Sequence, residues 1–331
     1  MTTTDTGPDL DGSTGVMLAP IRGKDIRRNL DEQLFVKRPG WFTVKFLFAV
    51  AIIAACWVGV ALVREWWMVG LTVPVLGVLY AHLVELQHEC LHEHAYYRRS
   101  ANRLVGFLSG VPMLSSYWHY KYEHLRHHAF LGTPNNQEFF NYRFRDIGTV
   151  HGFLRGCFHL GRYLTVAADI GRSVIGRTNP RVTKPIAARR IRQEYQAFAV
   201  VLLAAIVFTV LTGDLFLLWV WVIPTLLIAE PAHFLIELPE HFGLNTQSNP
   251  DVLANTRTVY GGRFGKWVTN GNDLHTAHHF HQGVPMAQVP KLHDLIADKV
   301  ETVEPSYWSF YRNVMTGRLR YQGDDATCMT R

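Results

Sequence analysis

Two long apolar stretches, parted by a single Arg-Glu pair, constrain this chain more than any other feature. From Trp41 to Val63 the only charge is Lys45, and from Trp66 to Leu86 the run is apolar until His82 and Glu85. A bilayer crossing needs about 20 apolar residues, so both stretches qualify. Lys45 lies near an end, where a long side chain can snorkel to the interface. A third run spans about Ala197 to Leu211 and a fourth Leu215 to about Ile228, with Thr212, Gly213 and Asp214 between them. Each is short alone; together they read as a tight transmembrane hairpin. Buried helices of a soluble protein are the competing reading, and so small a remainder of chain could hardly cover stretches this long. The fold class expected is therefore all-α and integral to the membrane, with about four transmembrane helices.

Charge placement orients the spans. Between residues 87 and 195 there are sixteen Lys and Arg against seven Asp and Glu, whereas the turns after the first and third runs carry only Arg64, Glu65 and Asp214. The positive-inside rule then puts the long middle segment and both termini on the cytoplasmic side of a multi-pass protein. The net charge of +6 reflects this topology and contact with anionic lipid. No aromatic-basic or zinc-finger pattern accompanies it, so no nucleic-acid partner is expected. Residues 1–20 are polar and Gly-rich, without signal-peptide order, and read as a disordered tail. Residues 21–40 mix Lys24, Arg27 and Arg28 with Ile26, Leu30 and Leu34, as an interfacial amphipathic helix does. A membrane domain is expected over 41–315 and a flexible tail over 316–331. The cysteines form no CxxC pair, and Cys90 reads as a buried thiol.

Three histidine clusters border the apolar runs: HECLH (His88, His92), HLRHH (His124, His127, His128) and HTAHH (His275, His278, His279). Imidazole is a common ligand of iron, zinc and copper, and residues at i and i+4 share a helix face. Adjacent histidines point different ways, so an HxxHH box can serve two metals or bracket a pair. Glu85 and Glu89 stand where they could orient His88 and His92. A further site follows the fourth run, in AEPAHFLIELPEHFGL. There His241 is a candidate extra ligand, with Glu237 lining the same pocket directly or through water. His233 is expected to pair with Glu230, and Pro239 to interrupt the helix. His82 and His94 read as a polar helix end. Together His88, His92, His124, His127, His128, His241, His275, His278 and His279 are too many for one metal. Two metals with four or five imidazoles each fit, and nitrogen-rich ligation suits a redox metal, iron above all.

These boxes, in this order relative to the spans, resemble the membrane fatty acid desaturase and hydroxylase superfamily, over about Trp41 to Leu295. NRLVGF after the first box, NTRTV at Asn255 to Val259, Gly283 to Pro285 after the third box and the isolated His241 match it as well. The resemblance implies a helical cap on the cytosolic face holding a histidine-ligated di-iron centre, with catalytic roles for the nine histidines and Glu237. It also implies O2, a membrane-lipid or acyl-carrier-bound acyl substrate, and a tunnel for the acyl chain. In place of the family's Asp-Pro after the second box the chain reads GTPNNQEFF, and Glu237 stands where the family often has a water-mediating Asn. No HPGG or GxGxxG motif is present, so an external electron donor is expected, ferredoxin- or cytochrome b5-like, with its reductase. The leading reading is an oxygen-dependent acyl desaturase. Alternatives are a hydroxylase or oxygenase of the same scaffold acting on a lipid, carotenoid or secondary metabolite, and a membrane zinc hydrolase. A soluble carboxylate-bridged bundle is suggested by Glu-x-x-His at Glu85, Glu89 and Glu230, but needs further inward carboxylates that the HxxHH boxes lack.

Overall fold

A computed structural model describes residues 22–140 and 147–321. Four helices are long and apolar enough to cross a membrane. The first runs Pro39–Val63 and the second Trp66–Leu91. Arg64 makes the turn between them in the left-handed region, φ 54°, its amide donating to the Val60 carbonyl. The third span is Pro185–Thr212, closed by Gly213 at φ 65°. The fourth runs from Leu218 to His241. Among the described residues the only strands are Thr258–Val259 and Val303–Glu304, paired in parallel.

The third and fourth spans exceed the apolar runs that mark them. Pro185 starts the third helix well before its apolar part, where a missing amide donor does no harm, so a polar stretch precedes the span. The fourth continues past its apolar run to the candidate ligand His241. Its first part winds as π-helix at Leu218–Val222 and Thr225–Ala229.

Two prolines in the fourth span are accommodated by tyrosine hydroxyls. Pro224 cannot supply the amide that an α-helix would give the Val220 carbonyl; Tyr80 donates to that carbonyl instead, while receiving Trp57 Nε1 at 2.9 Å. Pro239, expected to break the helix, lies inside it, because Tyr311 donates to the Leu235 carbonyl that Pro239 leaves open. The hydroxyls thereby knit the first, second and fourth spans and the helix Tyr307–Met315 into one unit.

The second span is the central one: half of its most apolar window is buried, against 11% for the first and third. Its cap-proximal part, Leu79 to Leu91, is wholly buried. Around that end pack the helices Arg99–Gly110 and Tyr117–Phe130 and the short helix His275–Phe280, while Leu160–Val174 packs against the third span. In the NRLVGF segment, the buried Asn102 amide donates to the Tyr96 and Arg98 carbonyls and accepts from the Tyr96 amide. It closes the loop that follows the first box.

The segment expected as one amphipathic helix is two short pieces, Lys24–Arg28 and Glu32–Phe35. They pack on protein: Leu34 joins Leu253, Leu274 and Phe280 in a core cluster, and the Arg27 guanidinium lies 4.9 Å from the Phe280 ring centre. Residues 1–20 lie outside the described residues. Of the tail expected at 316–331, residues up to Tyr321 are described, and Leu319 and Tyr321 pack on the main core.

Candidate metal centre

The four sequence elements carrying histidines converge at one place. His88 ends the second span and His92 caps it. His124, His127 and His128 lie on Tyr117–Phe130, whose N-cap Ser116 accepts from the His119 amide. His275, His278 and His279 occupy one short helix, entered through Asn270 and Gly271, both at positive φ (54° and 92°). Lys45 reaches the Asn270 side chain, and Asn270 Nδ2 donates to Glu89 at 2.7 Å. Thus Lys45 is not a snorkelling residue, and Glu89 does not orient His88 or His92; both fix the turn that delivers the third box.

The nine histidines sort into two groups. His88, His92, His124, His128 and His278 form one; His127, His241, His275 and His279 form the other, with donor atoms inside each group within 4.8 Å of one another. In the first group His124 Nε2 lies 2.8 Å from His88 Nε2, 3.0 Å from His92 Nε2 and 3.0 Å from His128 Nε2. An imidazole nitrogen carries one proton or one lone pair, so hydrogen bonding can satisfy one of these contacts. The others lack a complementary donor or acceptor unless the nitrogens share a cation. His278 Nε2 is 3.0 Å from His128 Nε2, and in the second group His275 and His241 Nε2 are 3.1 Å apart and His127 and His279 3.3 Å. For metal–nitrogen bonds of about 2.1 Å, tetrahedral donors would stand about 3.4 Å apart and right-angled ones about 3.0 Å. The first group, with five donors and the closer spacing, fits a metal of higher coordination than tetrahedral zinc.

In the second group, three outer nitrogens are held so that Nε2 faces inward. His127 Nδ1 donates to Asn136 Oδ1 (2.8 Å), His241 Nδ1 to the Asn255 carbonyl (3.0 Å) and His275 Nδ1 to Asn272 Oδ1 (3.1 Å). Burial, and after it the neighbouring imidazoles, hold His92, His124, His128, His275, His278 and His279 well below the ordinary imidazole range. They are neutral at pH 7, as metal ligands must be.

The remaining candidates are placed differently. Glu237 lies in neither group, its Oε1 3.4 Å from His233 Nε2. His233 does not pair with Glu230, which sits against Arg162 and accepts from Tyr163 at 2.7 Å. His82 Nδ1 donates to the Val268 carbonyl and its ring stacks on Trp267. His94 stacks beside His92 outside both groups, and Cys90 is buried away from them. Sequence reasoning missed the acceptors Asn136, Asn255 and Asn272, and the carboxylates Glu138 and Glu240. Asn272 precedes His275 by three residues and Glu240 adjoins His241, but neither spacing distinguishes a supporting residue from a loop polar residue. Arg257, in NTRTV, donates its buried guanidinium to the Pro239 and Phe242 carbonyls and so caps the helix end bearing Glu240 and His241.

Between the groups is a cavity of about 20 Å³, lined by His88 and His124 of one, His127 and His275 of the other, and Glu138, Glu237 and Glu240. It has room for one molecule the size of water. Tyr120, Phe139 and Phe140 form its remaining wall with Asn272. A separate apolar cavity of about 560 Å³ lies between the third and fourth spans, lined among others by Leu202, Ile206, Val210, Leu218, Trp221 and Tyr163.

The family profile described as fatty acid desaturase matches residues 64–311, which includes every histidine of both groups. No curated protein matches the chain.

Proposed function

The chain belongs to the fatty acid desaturase family, and we propose that it is an oxygen-dependent fatty acyl desaturase working through two irons, one in each histidine group. The observation that carries this reading is the sorting of nine imidazoles into adjacent groups of five and four. A zinc hydrolase needs one metal with three protein ligands and an open position, and the five-donor group is poorly suited to that. When bound, the irons supply the oxygen activation needed to remove hydrogen from an unactivated methylene. The two hydrogens of the substrate, with two electrons and two protons from outside, reduce one O2 to two waters. The electrons come from a separate ferredoxin- or cytochrome b5-like donor and its reductase.

What the chain's own residues do follows from their placement. His127, His241 and His275, fixed through Nδ1 by Asn136, Asn255 and Asn272, would hold an ion in the four-histidine group with their Nε2 atoms already turned inward. Tyr120, Phe139 and Phe140 keep bulk water from the small cavity between the groups. The apolar cavity between the third and fourth spans is in the size range of ligand pockets and suits an acyl chain arriving from the bilayer. The multi-pass arrangement with the histidine face and both termini toward the cytoplasm follows from the charge distribution, and places the centre on the side where soluble reductants are.

The test is metal analysis of the detergent-purified protein, then product analysis with acyl lipids, a reductase–ferredoxin couple and O2. Loss of two hydrogens supports desaturation, and gain of one oxygen would replace it with hydroxylation. One zinc per chain with turnover under anaerobic conditions would refute the oxidoreductase reading.

A further inference from the structure

The two histidine groups are unequal, and the smaller one has a carboxylate at its side. We propose that Glu240 completes the four-imidazole group as its oxygen donor, with Asn272 as the residue that positions it. This rests on the reading that each group holds a metal.

Glu240 Oε2 lies 3.4 Å from His275 Nε2, the atom that His275 turns toward the group. That separation is what two donors on one ion have, between right-angled and tetrahedral spacing. The other oxygen is engaged: Asn272 Nδ2 donates to Glu240 Oε1 at 2.7 Å. The same amide accepts from His275 Nδ1 through Oδ1 at 3.1 Å. One side chain therefore orients two donors at once, leaving Glu240 Oε2 beside His275 Nε2 at the edge of the four-imidazole group. The helix end is rigid there too, since the Arg257 amide donates to the Glu240 carbonyl and the Arg257 guanidinium caps the carbonyls on either side.

The two other carboxylates of the cavity fit this role less well. Glu138 Oε1 stands 3.9 Å from His241 Nε2 and is nearer, at 3.6 Å, to the outer nitrogen of His127. Glu237 faces His233, outside the group. A position with four nitrogens and an oxygen beside one with five nitrogens makes a chemically asymmetric pair. The carboxylate also offsets positive charge at that position alone.

The experiment is iron content and Mössbauer spectroscopy of 57Fe-loaded wild type, E240Q, E138Q, E237Q and N272A, all in detergent. Wild type is expected to hold two irons and give two quadrupole doublets of equal area. In E240Q one doublet is lost or shifted while the other stays, and the retained doublet reports an intact fold. E138Q and E237Q are expected to keep both doublets. N272A, which leaves the carboxylate present but loosely held, is expected to weaken iron binding at the same position by roughly 10- to 100-fold, as loss of an orienting partner does. An unchanged spectrum in E240Q, loss of both irons in it, or the same selective loss in E138Q or E237Q would overturn the assignment. If E240Q cannot be obtained folded, E240D decides, since it withdraws the oxygen while leaving Asn272 and His275 in place: an unchanged spectrum or equal weakening of both positions overturns it. Wild type lacking two irons would instead defeat the metal reading on which it depends.

Discussion

Replacing His278 by alanine separates the two groups, although His275 and His279 lie on the same short helix. His278 belongs to the five-donor group, and its Nε2 touches that of His128 at 3.0 Å. Four-ligand sites in small metal-binding domains bind with about 10–16 kcal/mol, or roughly 2.5–4 kcal/mol per ligand. Losing one imidazole should then weaken the first position about 100- to 1,000-fold. The second group keeps all four of its histidines. On the proposed two-iron reading, the expected result is one iron per chain against two in wild type, with turnover abolished because the pair is broken. His275→Ala should empty the other position. The assay is iron per chain by elemental analysis after dialysis against a weak chelator, with size-exclusion profile as the check on folding. Two irons retained in His278→Ala at chelator concentrations that leave wild type intact would refute the grouping.

Four other substitutions test the packing that supports the centre. A Cβ on Gly77 would sit 2.2 Å from Ile228 Cβ and 2.9 Å from the Pro224 carbonyl, so Gly77→Ala should lower stability by about 1–3 kcal/mol or more through overpacking. Gly59→Ala, facing only the flexible Met68 thioether at 3.4 Å, should change the detergent melting midpoint little. Arg162 and Glu230 form a buried ion pair; Glu230→Gln should destabilise by about 3–5 kcal/mol, whereas a double Met replacement should cost much less, which a thermal double-mutant cycle would read. Burial lowers His119 from 6.5 to about 4 despite the opposing charge of Asp169. The unfolded chain therefore binds the proton first, so stability is full above about pH 6.5 and falls by about 3 kcal/mol as pH drops toward 4. His119→Asn should remove that part of the slope, seen as a melting-midpoint gap that narrows from pH 7 to pH 5.

The parts of this molecule legible in the sequence are those set by local period and hydropathy. Two apolar runs around Arg64 and Glu65 were enough for a helical hairpin, because an unpaired backbone is not tolerated in hydrocarbon. The three boxes were visible because histidines at i and i+4 share a face. The reach of the third and fourth spans was not visible, since those helices continue beyond their apolar parts, into the polar run after Pro185 and on to His241. Pro239 misled for a related reason. Its effect depends on whether some distant donor takes the Leu235 carbonyl, and Tyr311 comes from a helix some seventy residues on. Glu230 and His233, neighbours at helical spacing, found other partners, Arg162 for one, and Glu237 on the same helix and Glu85 on the second span for the other. The acceptors of the Nδ1 protons were equally hidden, because any loop asparagine looks the same until the fold brings it to an imidazole.

The division of the nine histidines nevertheless follows a rule already present in the HxxHH spacing. In the second box the i, i+4 pair His124 and His128 serves the first group and His127 the second. In the third box the pair His275 and His279 serves the second group and His278 the first. Each box thus gives its aligned pair to one group and its odd histidine, about 100° around the helix, to the other. The two helices are reciprocal in this respect and by themselves would make two equal sites of three. The inequality comes from what is added: the second span contributes another aligned pair, His88 and His92, whereas the fourth contributes His241 alone. The aligned position four residues before His241 holds Glu237, which turns to His233, and the carboxylate beside the group is the adjacent Glu240. On the proposal above, Glu240 would restore the donor number with an oxygen in place of a nitrogen, and the asymmetry of the centre would then trace to a helix end that carries one histidine beside a carboxylate.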